Sequence, residues 1–331
     1  GKFRDEAGNY VRVEIHRLGV GGDNHEEVTI RGLKANLNGN PQEPYRPFST
    51  TSGELTLSIH GDKFWQRRLV FDLLEAGDHG FGIHVYVSSR DDIGRRSIPR
   101  FIGFIDINNL TYDDYPFPYD LTLKFYDGLS SLRDIEFTTR WEPYKEGGIA
   151  WTRSVHDMIF DCINCIPNIE ALFKNLDAPA VTVNCSWFAD NMDLINGELD
   201  NPLEVTAVNP AKWNEIKNGG ELGVFENAGK ILEDLLSRFQ LRMYFSGTTF
   251  VIEQISERRN SVVIRNSYKL DGSNYFGIFQ PGRGEYHDIE VDRVDTHRVA
   301  KSGFGYFPAA KEVRVNFNYT NDFSWVNTGS F

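Results

Sequence analysis

A chain of 331 residues is long enough for two or three domains, each with its own core. A hydrophobic share of 40% and a charged share of 25% exclude a disordered protein, and three cysteines, which cannot all pair, exclude a disulfide scaffold. The formal net charge of −12 argues against a surface that grips nucleic-acid backbone, because neutralising phosphates takes clustered Lys and Arg.

Along the chain, Val11, Val13 and Ile15 alternate with Arg12 and Glu14 after an Ala7-Gly8-Asn9 turn signal, which predicts a hairpin over residues 3–15. Short strands are expected at 27–31 and 54–60, flanking a Pro- and Asn-rich loop at 36–52. Phe64, Trp65, Leu69, Val70, Leu73 and Leu74 predict a short helix over 64–75, and 81–87 reads as a strand with Ile83, Val85 and Val87 opposite His84 and Tyr86. Phe101-Ile102-Gly103-Phe104-Ile105 is a short apolar strand. Residues 119–125 alternate at period two, and Asp127-Gly128-Leu129 turns the chain into a short helical turn.

The period then changes. Val155, Met158, Ile159, Cys162, Ile163 and Ile166 form one stripe of an amphipathic helix over 152–166, with Ser154 and Asp157 spaced as a capping pair and Pro167 as the stop. Ala228, Ile231, Leu232, Leu235, Leu236 and Phe239 repeat the offsets after Asn227 as N-cap, and a hairpin over 241–255 follows with Ser246-Gly247 at its turn. The matching stripes predict helices that pack on each other or on a shared sheet. Between them lie a strand at 180–183 and a polar loop at 196–223, and beyond them short strands at 261–265, 275–279, 287–291 and 312–319. The expected fold is α+β, mainly β. Its units are an N-terminal β-domain (1–148), an α/β domain with two amphipathic helices and a hairpin (149–258), and a C-terminal β segment packing with the first domain (259–331).

Chemistry is sparse in this sequence. Cys162 and Cys165 have CxxC spacing but fall in the last turn of a helix, where the dipole disfavours a thiolate. Cys185 is the only further soft ligand, so buried small hydrophobes are the favoured reading. Asp288, Glu290 and Asp292 share one strand face, as a Ca²⁺ site would require, but the spacing fits no calcium loop and a charged sheet edge is favoured. GxSxG, HExxH, a P-loop and a helix-opening GxGxxG are all missing from the sequence. No apolar run approaches the ~20 residues of a membrane helix, and no signal peptide is visible. The chain opens on Gly1 and stops at Phe331 without a terminating element, so a longer parent protein is expected.

The order of these elements resembles that of phage tail and baseplate hub proteins, including prophage tail proteins of Bacteroidetes. The resemblance rests on the F-x-G-x-I strand at Phe101 to Ile105, the DGL corner at Asp127-Gly128-Leu129, and the helix-then-hairpin unit over 227–255. It implies β-barrel-like hub domains that close, three subunits at a time, into a homotrimeric ring joining tail tube to spike or fibres. It further implies a virion protein assembled in the bacterial cytoplasm with other tail or baseplate proteins as partners. Catalytic residues, cofactors, metals, membrane segments and specific nucleic-acid binding are not expected of it, nor is enzymatic activity. The alternative is a secreted or surface carbohydrate-binding module, resting on β content and on Trp65, Trp141, Trp151, Trp187, Trp213 and Trp325. A hydrolase with dispersed carboxylates ranks below both.

Overall fold

Period-two alternation sets the first half of the chain into strands, each named here in chain order. The computed structural model describes residues 2–4, 10–19, 28–38, 46–88, 99–108, 110, 116–137, 152–174, 176, 178–184, 202–216, 222–254 and 265–275. It opens with β1 (Lys2–Arg4), β2 (Tyr10–Arg17), β3 (Thr29–Asn38), β4 (Phe48–Ile59), α1 (Phe64–Ala76), β5 (Phe81–Ser88), β6 (Phe101–Asp106) and β7 (Tyr119–Tyr126), then a 3-10 turn over Leu129–Arg133. After it come β8 (Arg153–Ser154), α2 (Val155–Asn164), α3 (Ile169–Phe173), β9 (Val181–Asn184), α4 (Pro202–Val205), β10 (Ala207–Val208), a 3-10 turn over Pro210–Trp213, β11 (Asn214–Ile216) and β12 (Leu222–Phe225). The last described elements are α5 (Ala228–Arg238), β13 (Leu241–Ser246), β14 (Thr249–Gln254) and β15 (Arg265–Tyr268).

The fold is mainly β, a curled half-barrel sheet with a few helices. Eleven strands share that sheet in the order β1-β2-β5-β6-β7-β4-β13-β14-β9-β15, with β3 also paired to β4. Cross-strand neighbours Val13 and Val85, Ile105 and Phe125, and Leu55 and Leu123 place one apolar face inside the curl. All six are buried. At the far side β1 comes back alongside β3, with no ladder joining the two among the described residues.

β4 is the strand on which the two halves of the chain meet. It pairs antiparallel with β7 and β3, and its start pairs in parallel with β13 through Met243↔Phe48 and Tyr244↔Ser49. The hairpin of β13 and β14 then carries β9 in parallel, and β9 carries β15. One sheet thus runs from residues before 148 into residues after it. The expected boundary at 148/149 falls outside the described residues, as do the expected strands at 287–291 and 312–319.

Three expectations need correcting. The loop expected at 36–52 is shorter, because β3 extends to Asn38 and β4 begins at Phe48; pairing with β4 holds a segment whose own alternation is diluted by Gly32, Asn36 and Asn38. The polar loop expected at 196–223 contains α4, β10, a 3-10 turn, β11 and the start of β12, all too short to show a period. Pro167 ends α2 as expected, but α3 follows after Asn168, which takes a left-handed φ of 58°.

The two amphipathic helices pack on each other. Ser154 Oγ accepts the Asp157 N–H at 3.0 Å, and Asn227 Oδ1 accepts the Lys230 N–H at 2.7 Å, so each helix starts at its expected cap. Ser154→Ala is expected to cost about 1 kcal/mol of stability, read as a lower urea midpoint with an unchanged slope.

Candidate functional site

Among the described residues, one cluster combines two imidazoles with a carboxylate. It lies where β2 pairs with β5, and the register creates it: Arg12 faces Tyr86, Glu14 faces His84, and His16 faces Gly82. Val11 and Val13 turn into the core, so period two sends Arg12, Glu14 and His16 to the opposite face. Arg12 Nε lies 3.2 Å from Glu14 Oε1, and His16 Nε2 lies 3.4 Å from Glu14 Oε2. The His16 and His84 rings are 4.7 Å apart between centroids. His84 Nε2 is 3.3 Å from the Leu172 carbonyl on α3, and Tyr86 Oη is 3.5 Å from His84 Nδ1. The Arg12 guanidinium stacks 4.2 Å above the Tyr86 ring.

Opposite His16 stands Gly82, where a Cβ would lie 2.8 Å from Leu172 Cδ1 and 3.2 Å from Leu18 Cδ2, so the ends of two leucine side chains fill the space that a side chain here would take. The electrostatics follow from the packing. The His16 imidazole, and after it the Arg12 guanidinium, outweigh partial burial and hold the Glu14 carboxyl down at about 2. Burial pushes His84 down to about 4, so its ring is neutral at pH 7. One donor atom from each of Glu14, His16 and His84 lies within 4.8 Å of the others.

Alternation along 81–87 had set His84 and Tyr86 apart from the apolar set, and nothing in either strand alone marks them. The signal that unites Glu14 with His84 is the register of β2 against β5. Cys162 is fully buried on α2 and burial pushes its thiol well up, while Cys165 ends that helix and is half-buried. Cys185 and the cluster Asp288, Glu290 and Asp292 lie outside the described residues. Trp213 is buried with its Nε1–H donated to Asp234 at 3.0 Å, and Trp65 is half-buried; Trp141, Trp151, Trp187 and Trp325 lie outside the described residues.

A second surface stands out on α1. Val70 and Leu73 face the core with Gln66, whose Oε1 accepts the His60 and Gly61 N–H groups at 3.1 and 2.8 Å. Arg67 Nε donates to the Gly61 carbonyl at 2.6 Å, so the helix is tied to the end of β4 at its first turn. The outward side carries three large apolar side chains beside the Arg68–Asp72 ion pair: Phe64 is 73% exposed, Phe71 57% and Leu74 51%. Their spacing of seven and three puts them on one stripe. Phe117 is 42% exposed and packs over Gly61 just ahead of the helix, where a Cβ would fall 2.3 Å from the ring.

No protein-family model and no curated protein matches the chain. Among solved structures, the chain is similar to the 43 kDa tail protein of prophage MuSo2 from Shewanella oneidensis, at 12% identity and a TM-score of 0.32. The match covers 73% of this chain and 52% of the other, so the chain spans about half the length of that tail protein.

Proposed function

We propose that the chain is a structural, non-enzymatic component of a phage or prophage tail. In this reading it is a hub subunit that forms a homotrimeric ring between tail tube and spike or fibres, contacts other tail or baseplate proteins, and is assembled in the bacterial cytoplasm before residing in the virion. The observation that carries the reading is the outward face of α1. Three large apolar side chains are held in water on a helix anchored by Gln66 and Arg67, and such a patch marks an interaction surface. The element order, which resembles that of tail hub proteins, and a curled sheet in which no ladder continues past β1 or β15 among the described residues support the same reading, since a barrel-like ring is completed by neighbouring copies.

The test is the mass of the purified chain in solution and its outline by electron microscopy. A trimer with a central opening is the expected result, and a chain that stays monomeric at its highest soluble concentration overturns the ring. Phe71→Asp places a charge in the middle of the exposed stripe, at a position that is 57% exposed. It is expected to shift the assembly to monomer while leaving the melting temperature of the subunit within the range of ordinary surface substitutions, about ±0.5 kcal/mol in stability.

A further inference from the structure

We propose that Glu14, His16 and His84 bind a divalent first-row transition-metal ion of the Zn²⁺ class, which clamps β2 to β5 on the outer face of the sheet. The inference stands apart from the tail reading. It rests on how the three side chains are held.

His84 comes first. Its Nε2 faces a backbone carbonyl, that of Leu172, at 3.3 Å, and a carbonyl can only accept. The proton of the neutral ring therefore sits on Nε2, and Nδ1 carries the lone pair, which meets only the Tyr86 hydroxyl at 3.5 Å, a contact at the limit of hydrogen-bond range that a metal ion displaces. This is the arrangement in which metal-binding histidines are held, one nitrogen donating to a carbonyl and the other free to ligate. Glu14 is oriented in the same sense. Arg12 occupies Oε1 from one side, leaving Oε2 turned to His16.

His16 supplies the second independent observation. Its Nε2 is shielded from solvent and has no hydrogen-bond partner; at 3.4 Å the contact with Glu14 Oε2 is an electrostatic approach without hydrogen-bond geometry. A buried polar atom without a partner is costly, and a ligand that satisfies it removes the cost. A metal ion between Nε2, Oε2 and the His84 lone pair is such a ligand.

The donor set decides the class of metal. Two imidazoles and one carboxylate suit Zn²⁺ and its neighbours, whereas Ca²⁺ and Mg²⁺ take oxygen ligands. Metal–ligand bonds of about 2.0–2.2 Å put tetrahedral donors about 3.4 Å apart. The donors now lie within 4.8 Å of one another, so they must close by about 1.4 Å at most. His16 makes that movement possible, because its side chain is 37% exposed. Three protein ligands leave the fourth position to water.

The experiment titrates ZnCl₂ into the full chain after chelator treatment and dialysis, with MgCl₂ as the comparison, by calorimetry and thermal melting. One Zn²⁺ per chain, a raised melting temperature with Zn²⁺ and none with Mg²⁺ is the expected result. His16→Gln and Glu14→Gln, both at partly exposed positions, are each expected to weaken Zn²⁺ binding by tenfold or more; metal-free, His16→Gln melts near the parent and Glu14→Gln below it, because Arg12 loses its carboxylate. Co²⁺ in the unaltered chain separates this site from the cysteines without any variant: imidazole and carboxylate ligands give weak visible bands alone, whereas thiolates add an intense near-ultraviolet band. Absence of saturable Zn²⁺ binding, unchanged affinity in both variants, or a thiolate band overturns the proposal.

Discussion

Gly103→Val is expected to unfold the protein or leave it insoluble. Gly103 lies in the middle of β6, and a Cβ added there would stand 2.3 Å from the Tyr126 carbonyl oxygen and 2.7 Å from Phe101 Cζ. The first of these is backbone. It belongs to β7, which is fixed on one side by β6 and on the other by β4 over eight register pairs. Relief therefore means pulling β6 from β7 or expelling Phe101, whose ring packs against Phe125 and Phe245 at centroid distances of 5.2 and 5.8 Å. Overpacking alone costs about 1–3 kcal/mol, and displacing ladder bonds and a buried aromatic adds to it. The sum is comparable with the lower end of the 5–15 kcal/mol that holds a typical domain folded. Gly32→Ala is the control, since a Cβ there meets nothing within 4 Å, and it is expected to change stability by less than about 0.5 kcal/mol. Far-ultraviolet circular dichroism and melting of the two purified variants check the pair. A Gly103→Val protein that melts with the parent would show that β6 and β7 are not packed as described.

What the sequence disclosed depended on whether the signal was local. The hairpin of β1 and β2, both helix caps, and the turn between β13 and β14 each need only a few adjacent residues, and each is present where alternation or capping chemistry placed it. The stripes on α2 and α5 extended further and left two outcomes open, packing on each other or on a shared sheet, and the helices do meet. Pairings between distant segments were not legible. Nothing in Phe48-Ser49 or Met243-Tyr244 announces that they run side by side, although that contact joins the two halves of the sheet. The cluster of Glu14, His16 and His84 failed for the same reason. Each reads as an ordinary polar position on a half-buried strand until the register sets Glu14 against His84. The stretch from Asp127 to Leu129 was read as a corner, correctly, but its chemistry was invisible, because burial of a carboxyl is decided by what packs over it.

Asp127 is that carboxyl, and it makes the stability of the protein depend on pH in an unusual direction. Its side chain is 1% exposed. One oxygen accepts the Leu129 N–H at 3.0 Å, the other accepts the Thr51 N–H, and its own N–H returns to the Thr51 carbonyl at 3.0 Å, so it ties the end of β7 to β4 and starts the following 3-10 turn. Burial outweighs these bonds and raises the carboxyl from 3.8 to about 7. Between those values the folded chain keeps a proton that the unfolded chain releases. The contribution of Asp127 is therefore complete below about pH 4 and is lost as pH rises through 7, a change on the order of 4 kcal/mol at 1.36 kcal/mol per unit. His84 works in the same window with the opposite sign: its folded value is about 4 against 6.5, so its contribution is present above 6.5 and lost as pH falls. The two partly cancel in the parent protein, and a variant separates them. Asp127→Asn has one acceptor oxygen for two backbone N–H groups, which costs about 1–3 kcal/mol in acid, where the parent carries a neutral carboxyl. Above pH 8 the parent carries a buried charge and the variant does not. The stability difference between parent and Asp127→Asn, from urea unfolding across pH 4 to 8, is expected to shrink from pH 4 upward and to change sign between about pH 4.5 and 6, where a loss of 1.36 kcal/mol per pH unit overtakes that cost. A difference that stays flat over that range would mean that Asp127 ionises as an exposed carboxylate does, and that the corner after β7 is open to water.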